Sequence, residues 1–183
     1  MNLFISLLWN APQLFWYQVF VVVFSVCLHE YAHARTALFF GDDTAQQTGH
    51  LTLNPFRQMG IISLLMLIFC GIAWGAVPVD PEKLRNYHKR AGLWVSFAGP
   101  CVNLILFLLG LLMFSGLCVI AARQGDVQEF SVVAENILLL TFLFAKINAL
   151  LLILNLLPIS GFDGGNIMQE LLSEKQKTKF SSE

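Results

Sequence analysis

The chain has 183 residues, of which 56% are hydrophobic and only 13% charged, with a formal net charge of −1. Ordinary soluble domains run nearer 45–50% apolar and about 25% charged, so this balance argues against a single soluble domain. A near-neutral chain with no long basic stripe or aromatic platform also argues against a nucleic-acid partner.

The apolar residues fall in long runs at 14–40, 61–77, 91–122 and 131–157, and about 20 such residues cross a bilayer. Residues 1–13 contain no Lys or Arg. No basic region precedes the first run and no small-residue cleavage site follows it, so a retained span is expected rather than a cleaved signal peptide. The following connection carries Arg57 and a polar, β-prone stretch at 49–55. That stretch reads either as an edge for an extended substrate or as a membrane-surface turn ended by Asn54-Pro55. Run 61–77 is short, contains Gly71 and Gly75, and ends at Pro78. The connection 78–90 holds Lys83, Arg85, Lys89 and Arg90, which the positive-inside rule places, with Arg57, on the cytoplasmic side. Run 61–77 then enters and leaves on one side as a re-entrant segment buried against protein; a fourth true span is the alternative. In the connection 123–130, Arg123 is offset by Asp126 and Glu129, so that connection and the N-terminal residues are placed outside. A tail from about residue 166, with Lys175, Lys177 and Lys179, is placed in the cytoplasm. Cys27, Cys70, Cys101 and Cys118 sit inside apolar runs without a CxxC pair and are expected as free thiols. The expected fold class is an all-α polytopic membrane protein. Residues 1–183 form one domain, with three spans plus segment 61–77 as a re-entrant or fourth hydrophobic element.

The first run contains His29-Glu30-Tyr31-Ala32-His33. On a helix this H-E-x-x-H pattern puts two imidazoles one turn apart on one face, where both can hold one ion. Glu30 is then placed to take a proton from water that a zinc ion has acidified. The bland alternative, histidines satisfied in the core with Glu30 paired to Arg35, conflicts with the expense of ionisable groups inside a bilayer. Two histidines leave a catalytic zinc one protein ligand short. His50 and His88 lie in polar connections, whereas Asp163 directly follows the last apolar run. Asp163 is therefore the choice for third ligand, with capping of a helix starting near Gly164 as its alternative role. Asn103, about 18 Å along a helix starting near residue 91, falls at the depth of the histidines. It can donate a hydrogen bond there or make an interhelical amide contact beside Ala98 and Gly99. Asn155 is a similar candidate, and Lys146 is a cation in the last run that pairs or snorkels.

Taken in order, His29-Glu30-x-x-His33-Ala34, the stretch 49–55, Ala98-Gly99-Pro100-x-x-Asn103 and Asn155-Leu156-Leu157-Pro158 with Asp163-Gly164-Gly165 resemble the site-2 protease family of intramembrane zinc metalloproteases. The resemblance covers most of the chain and is to the compact form, without a PDZ or CBS domain. It implies that Asp163 is the third zinc ligand, that one Zn2+ is held per chain, and that Asn103 helps hold the substrate carbonyl or its oxyanion. It also implies a multi-pass cell-membrane protein of prokaryotic type acting on a transmembrane protein substrate in the lipid bilayer. Asn166 stands where the family often has Arg.

Topology bears on the same assignment. The histidines lie about 10–16 Å from the cytoplasmic end of the first run. Asp163 reaches that half only if an even number of spans separates it from residue 40, which favours a re-entrant 61–77. A catalytically inactive relative that binds membrane proteins would usually have lost a ligand or the glutamate. An intramembrane metal transporter would favour repeated sites or inverted repeats, and neither is visible.

Overall fold

The computed structural model describes residues 3–123 and 132–172. Among these, no strand forms. Three helices among the described residues are long and apolar enough to cross a membrane: α1 (Pro12–Phe39), α4 (Ala91–Arg123) and α5 (Val132–Asn155). Pro12 opens α1 at its first turn, where the missing N–H is harmless. At 1.5 Å per residue the 28 residues of α1 reach about 42 Å. The spans are apolar around most of their circumference, as bilayer helices are: Leu112, Val119, Leu150 and Ile153 all point outward. Small residues let α4 and α5 close on each other, since a Cβ on Gly110 would stand 2.7 Å from the Ala145 backbone nitrogen. Towards the other end of α5, Gln13 Nε2 donates to Asn136 Oδ1 and ties α1 to it.

Segment 61–77 is half helix and half extended chain. Helix α2 (Gly60–Cys70) has 11 residues, about 16 Å, too short to span. Gly71 ends it with φ 74°, a left-handed conformation that glycine adopts freely. The chain then doubles back without helical structure to residue 80. Ser63 Oγ accepts from the Trp74 N–H at 2.9 Å and donates to the Trp74 carbonyl at 2.7 Å. The Ala76 N–H donates to the Gln58 carbonyl at 3.1 Å, and the Asp80 N–H to Asp42 Oδ2 at 2.7 Å. The segment therefore returns to the end of the bundle it left. The stretch 49–55 forms turns rather than an edge strand. Gly49 takes φ 75°, and Asn54 Oδ1 accepts from the Phe56 N–H to cap the single turn Pro55–Gln58.

Asp80 also caps helix α3 (Pro81–Tyr87), accepting from the Glu82 and Lys83 N–H groups. Lys83 Nζ donates to Asp43 Oδ1 at 2.7 Å, so the end of α1 and the start of α3 are clasped together. Helix α6 (Asp163–Leu171) lies against the start of α4, where a Cβ on Gly92 would stand 3.0 Å from Glu170 Oε1. Gly161 turns the chain with φ 96° between α5 and α6. Side chains at Gly164 and Gly165 would strike the carbonyls of Leu156, Leu157 and Ile159. That tight turn folds Asp163 back towards α1. The expected tail thus begins as helix α6. Lys175, Lys177, Lys179, Asp126 and Glu129 lie outside the described residues. The four cysteines are free thiols.

Candidate metal centre

Helix α1 sets His29 and His33 one turn apart and buries both, with ring centroids 4.7 Å apart. Each ring is held by its Nδ1. His33 Nδ1 lies 2.7 Å from the Val95 carbonyl, which can only accept, so this nitrogen carries the proton. His29 Nδ1 lies 2.6 Å from Asn103 Oδ1, likewise an acceptor. In the neutral rings that bind a metal both Nε2 atoms are then bare, and they face each other at 3.0 Å. Asp163 completes the group, its Oδ2 at 3.0 Å from His29 Nε2 and its Oδ1 at 3.2 Å from His33 Nε2.

With both rings neutral, three acceptors converge with no hydrogen to share among them. Asp163 Oδ2 is buried and satisfies no hydrogen bond. Lone pairs at such separations repel unless a cation sits between them. Nitrogen and oxygen ligands about 2.0–2.1 Å from a tetrahedral zinc stand about 3.3 Å from one another, close to the separations here. Gly99 of α4 supplies the room, since a Cβ there would collide with both Nε2 atoms. The donor set and the space fit zinc. Phe162 occupies the N-cap position of α6, and no side-chain capping bond forms there. Asp163 begins the helix and turns its carboxylate to the histidines.

Glu30 is 8% exposed and lies beside this group, in a cavity of about 360 Å³ lined by His29, His33, Asp163, Asn103 and Asn155. The extended return of the hairpin forms the facing wall through Trp74, Gly75, Ala76 and Val77. Gly75 leaves room for Glu30, because a Cβ there would stand 2.5 Å from Glu30 Oε1 and displace the carboxylate. A carboxylate beside a metal-ligand set in a polar cavity is the arrangement that general-base hydrolysis needs.

Residues 17–183 match Peptidase family M50. The chain belongs to this family, the site-2 protease family of membrane metalloproteases. "Putative zinc metalloprotease YwhC" of Bacillus subtilis (strain 168) is 34% identical over 174 residues, or 90% of this chain and 73% of that protein. "Putative zinc metalloprotease Rip2" of Mycolicibacterium smegmatis (strain ATCC 700084 / mc(2)155) is 37% identical over 163 residues, 84% of this chain and 56% of that protein. Rip2 of Mycobacterium tuberculosis (strain ATCC 25618 / H37Rv) is 37% identical over 158 residues, 80% of this chain and 55% of that protein. The chain spans about half the length of the Rip2 proteins. No solved structure matches it.

Within this M50 chain the structure brings His29, Glu30, His33 and Asp163 together and adds Asn103 as the partner of His29. The Asn103 Nδ2 donates to Asn148 Oδ1 at 3.1 Å, so both ends of the amide are engaged inside the bundle. Asn155 lines the cavity. His50 stays with the 48–58 turns, its Nδ1 3.0 Å from Thr48 Oγ1, and His88 lies on the exposed surface. Lys146 is exposed on α5. Sequence reasoning missed Val95, whose carbonyl orients His33, and the space-making roles of Gly99 and Gly75. It also missed Ser25 and Asn148, whose signal was a polar side chain inside an apolar run.

Proposed function

We propose that this chain is an intramembrane zinc endopeptidase that hydrolyses a peptide bond within or next to a transmembrane segment of another membrane protein. The observation that carries the reading is the convergence of two bare imidazole nitrogens and the Asp163 carboxylate on one point, beside Glu30. His33 and His29 lie about 9 and 15 Å from the end of α1, a distance that supports a site at bilayer depth.

His29, His33 and Asp163 hold the metal. Zinc bound there supplies Lewis-acid polarisation of the scissile carbonyl and acidifies water. Glu30 takes the proton from the attacking water and passes it to the leaving amine. Water enters from the end of the bundle that carries Asp42, Lys83 and Arg85, assigned to the cytoplasm by its basic residues. The substrate must be extended to be cut. Among the described residues, the Gly75 and Val77 N–H groups donate to no protein acceptor. They offer an extended peptide a backbone edge along the cavity wall. A multi-pass protein of a bacterial cell membrane is the natural setting, in keeping with the bacterial relatives.

The test is metal content and cleavage of a model transmembrane peptide by purified protein in detergent. One zinc per chain with cleavage is expected, Glu30→Gln keeping the metal and losing cleavage. Zinc binding without cleavage across a panel of transmembrane peptides would mark an inactive, membrane-protein-binding relative. Cleavage surviving Glu30→Gln would sink the mechanism.

A further inference from the structure

Three polar side chains that are wholly buried lie one after another behind His29: Asn103 on α4, Asn148 on α5 and Ser25 on α1, each 0% exposed. We propose that Asn148 and Ser25, acting through Asn103, form a directional relay across the three spans that keeps the His29 proton on Nδ1 and its Nε2 bare. The inference rests on the reading of His29 as a metal ligand and assigns the groups that hold it in its ligating form.

The direction of the relay follows from one carbonyl. Asn148 Nδ2 donates to the Phe144 carbonyl at 2.9 Å and to Ser25 Oγ at 2.9 Å. A carbonyl only accepts, so the Asn148 amide cannot be turned over without setting two oxygens face to face. With Nδ2 fixed there, Asn148 Oδ1 faces α4 and accepts from Asn103 Nδ2 at 3.1 Å. Asn103 Oδ1 is thereby aimed at His29 Nδ1, 2.6 Å away, and accepts its proton. Reversing the chain would place an amide N–H against His29 Nδ1 and move the ring proton to Nε2, into the point where the ligand atoms meet. Partners behind a ligating histidine fix its tautomer and ring orientation in this way. Here that partner is itself held by a second amide on another span. Ser25 lies one turn before His29 on α1, so the relay leaves that helix and returns to it.

Asn148 and Ser25 are positioning residues, and the test reads the tautomer as well as the metal. In metal-free, 15N-histidine-labelled protein in detergent, His29 is expected with its proton on Nδ1. Asn148→Leu is expected to shift the His29 ring signals towards the Nε2–H form and to weaken zinc binding by about 10- to 100-fold. The His33 signals, set by Val95, stay in place. Asn148→Thr restores the tautomer, because its hydroxyl can donate to the Phe144 carbonyl as Thr141 does to Ile137 at 2.9 Å and accept from Asn103. Thr141→Val, a buried polar loss elsewhere on α5, leaves zinc binding unchanged. The relay is overturned if His29 Nδ1 in the parent carries no proton, a measurement that needs no variant to fold. It is equally overturned if Asn148→Leu binds zinc as the parent does with unmoved ring signals. A parent that binds no zinc refutes the proposed function instead, and the tautomer readout still decides the relay.

Discussion

The two walls of the cavity are built differently. On one side α1, α4, α5 and α6 surround the candidate metal ligands, and His29 Nδ1 and the side chains of Asn103, Asn148 and Ser25 are paired inside the bundle. On the other side, α2 buries only Ser63 and Leu67 and leaves Ile61 and Ile62 66% and 72% exposed. Its extended return is tied back at Trp74, Ala76 and Asp80. Segments with few buried contacts open at lower free energy than a packed core. One wall therefore holds chemical groups in register, while the other is looser and is, under the proposed function, the side at which a peptide would enter.

Variants can break or sharpen that contrast. Asp163→Ala should have the largest effect, abolishing both zinc binding and cleavage; zinc retained at the parental level would overturn the ligand set. Glu30→Gln should cut kcat by about 10²- to 10⁴-fold with zinc content unchanged, separating the base from the ligands. Gly99→Ala places a methyl group where the two Nε2 atoms lie, so zinc affinity should collapse while helix content by circular dichroism stays. Gly75→Ala probes the loose wall: its methyl meets Glu30, so cleavage should fall with zinc binding intact. Loss of zinc there would show that the two walls are not separable.

The clasp at the end of the hairpin should matter least. Hydrogen bonds from Lys83 and Gln47 hold the Asp43 carboxyl below its ordinary range, and the bond to Asp43 holds the Lys83 ammonium above its own. The pair's stabilisation is present above the unfolded carboxyl pKa of about 3.9 and is lost as pH falls through the lowered folded value. At the alkaline end it is complete below about 10.4 and is lost as pH rises through the raised Lys83 value. Thermal melts of the parent and Lys83→Ala should differ slightly at pH 7, and the gap should close in acid and in high salt. An unchanged gap at pH 2 would assign it to something other than the ion pair.

Much of this was legible in the sequence because it depends on local spacing. The long apolar runs gave spans within a few residues of α1, α4 and α5, and H-E-x-x-H on a helix dictates that two imidazoles share a face. Asp163 was one of few residues able to supply a third ligand, and the family resemblance, with the span count, favoured that role over a helix cap. For 61–77, Gly71, Gly75 and Pro78 marked an irregular re-entrant segment, but not where helix gives way to extended chain. An apolar run reads the same whether helical or extended, and only Gly71 and the Ser63–Trp74 pair set where the helix stops. The stretch 49–55 looked β-prone, but Gly49 and the Asn54 cap turn it. Asn103 was marked by its depth, yet its partners were hidden, because the meeting of Asn148 with Ser25 and Asn103 depends on how three helices cross. Gly99 and Gly75 escaped for a similar reason: an absent side chain shows its purpose only once its neighbour is in place.

The ligands come from opposite ends of the chain. His29 and His33 are synthesised ~130 residues before Asp163, roughly 10 s at usual translation rates. With the ligand set proposed above, the nascent protein holds an incomplete site while its spans enter the bilayer. On that reading it becomes a protease only when α6 folds back, so that its own freshly inserted segments, and those of its neighbours, pass through assembly before the blade is fitted.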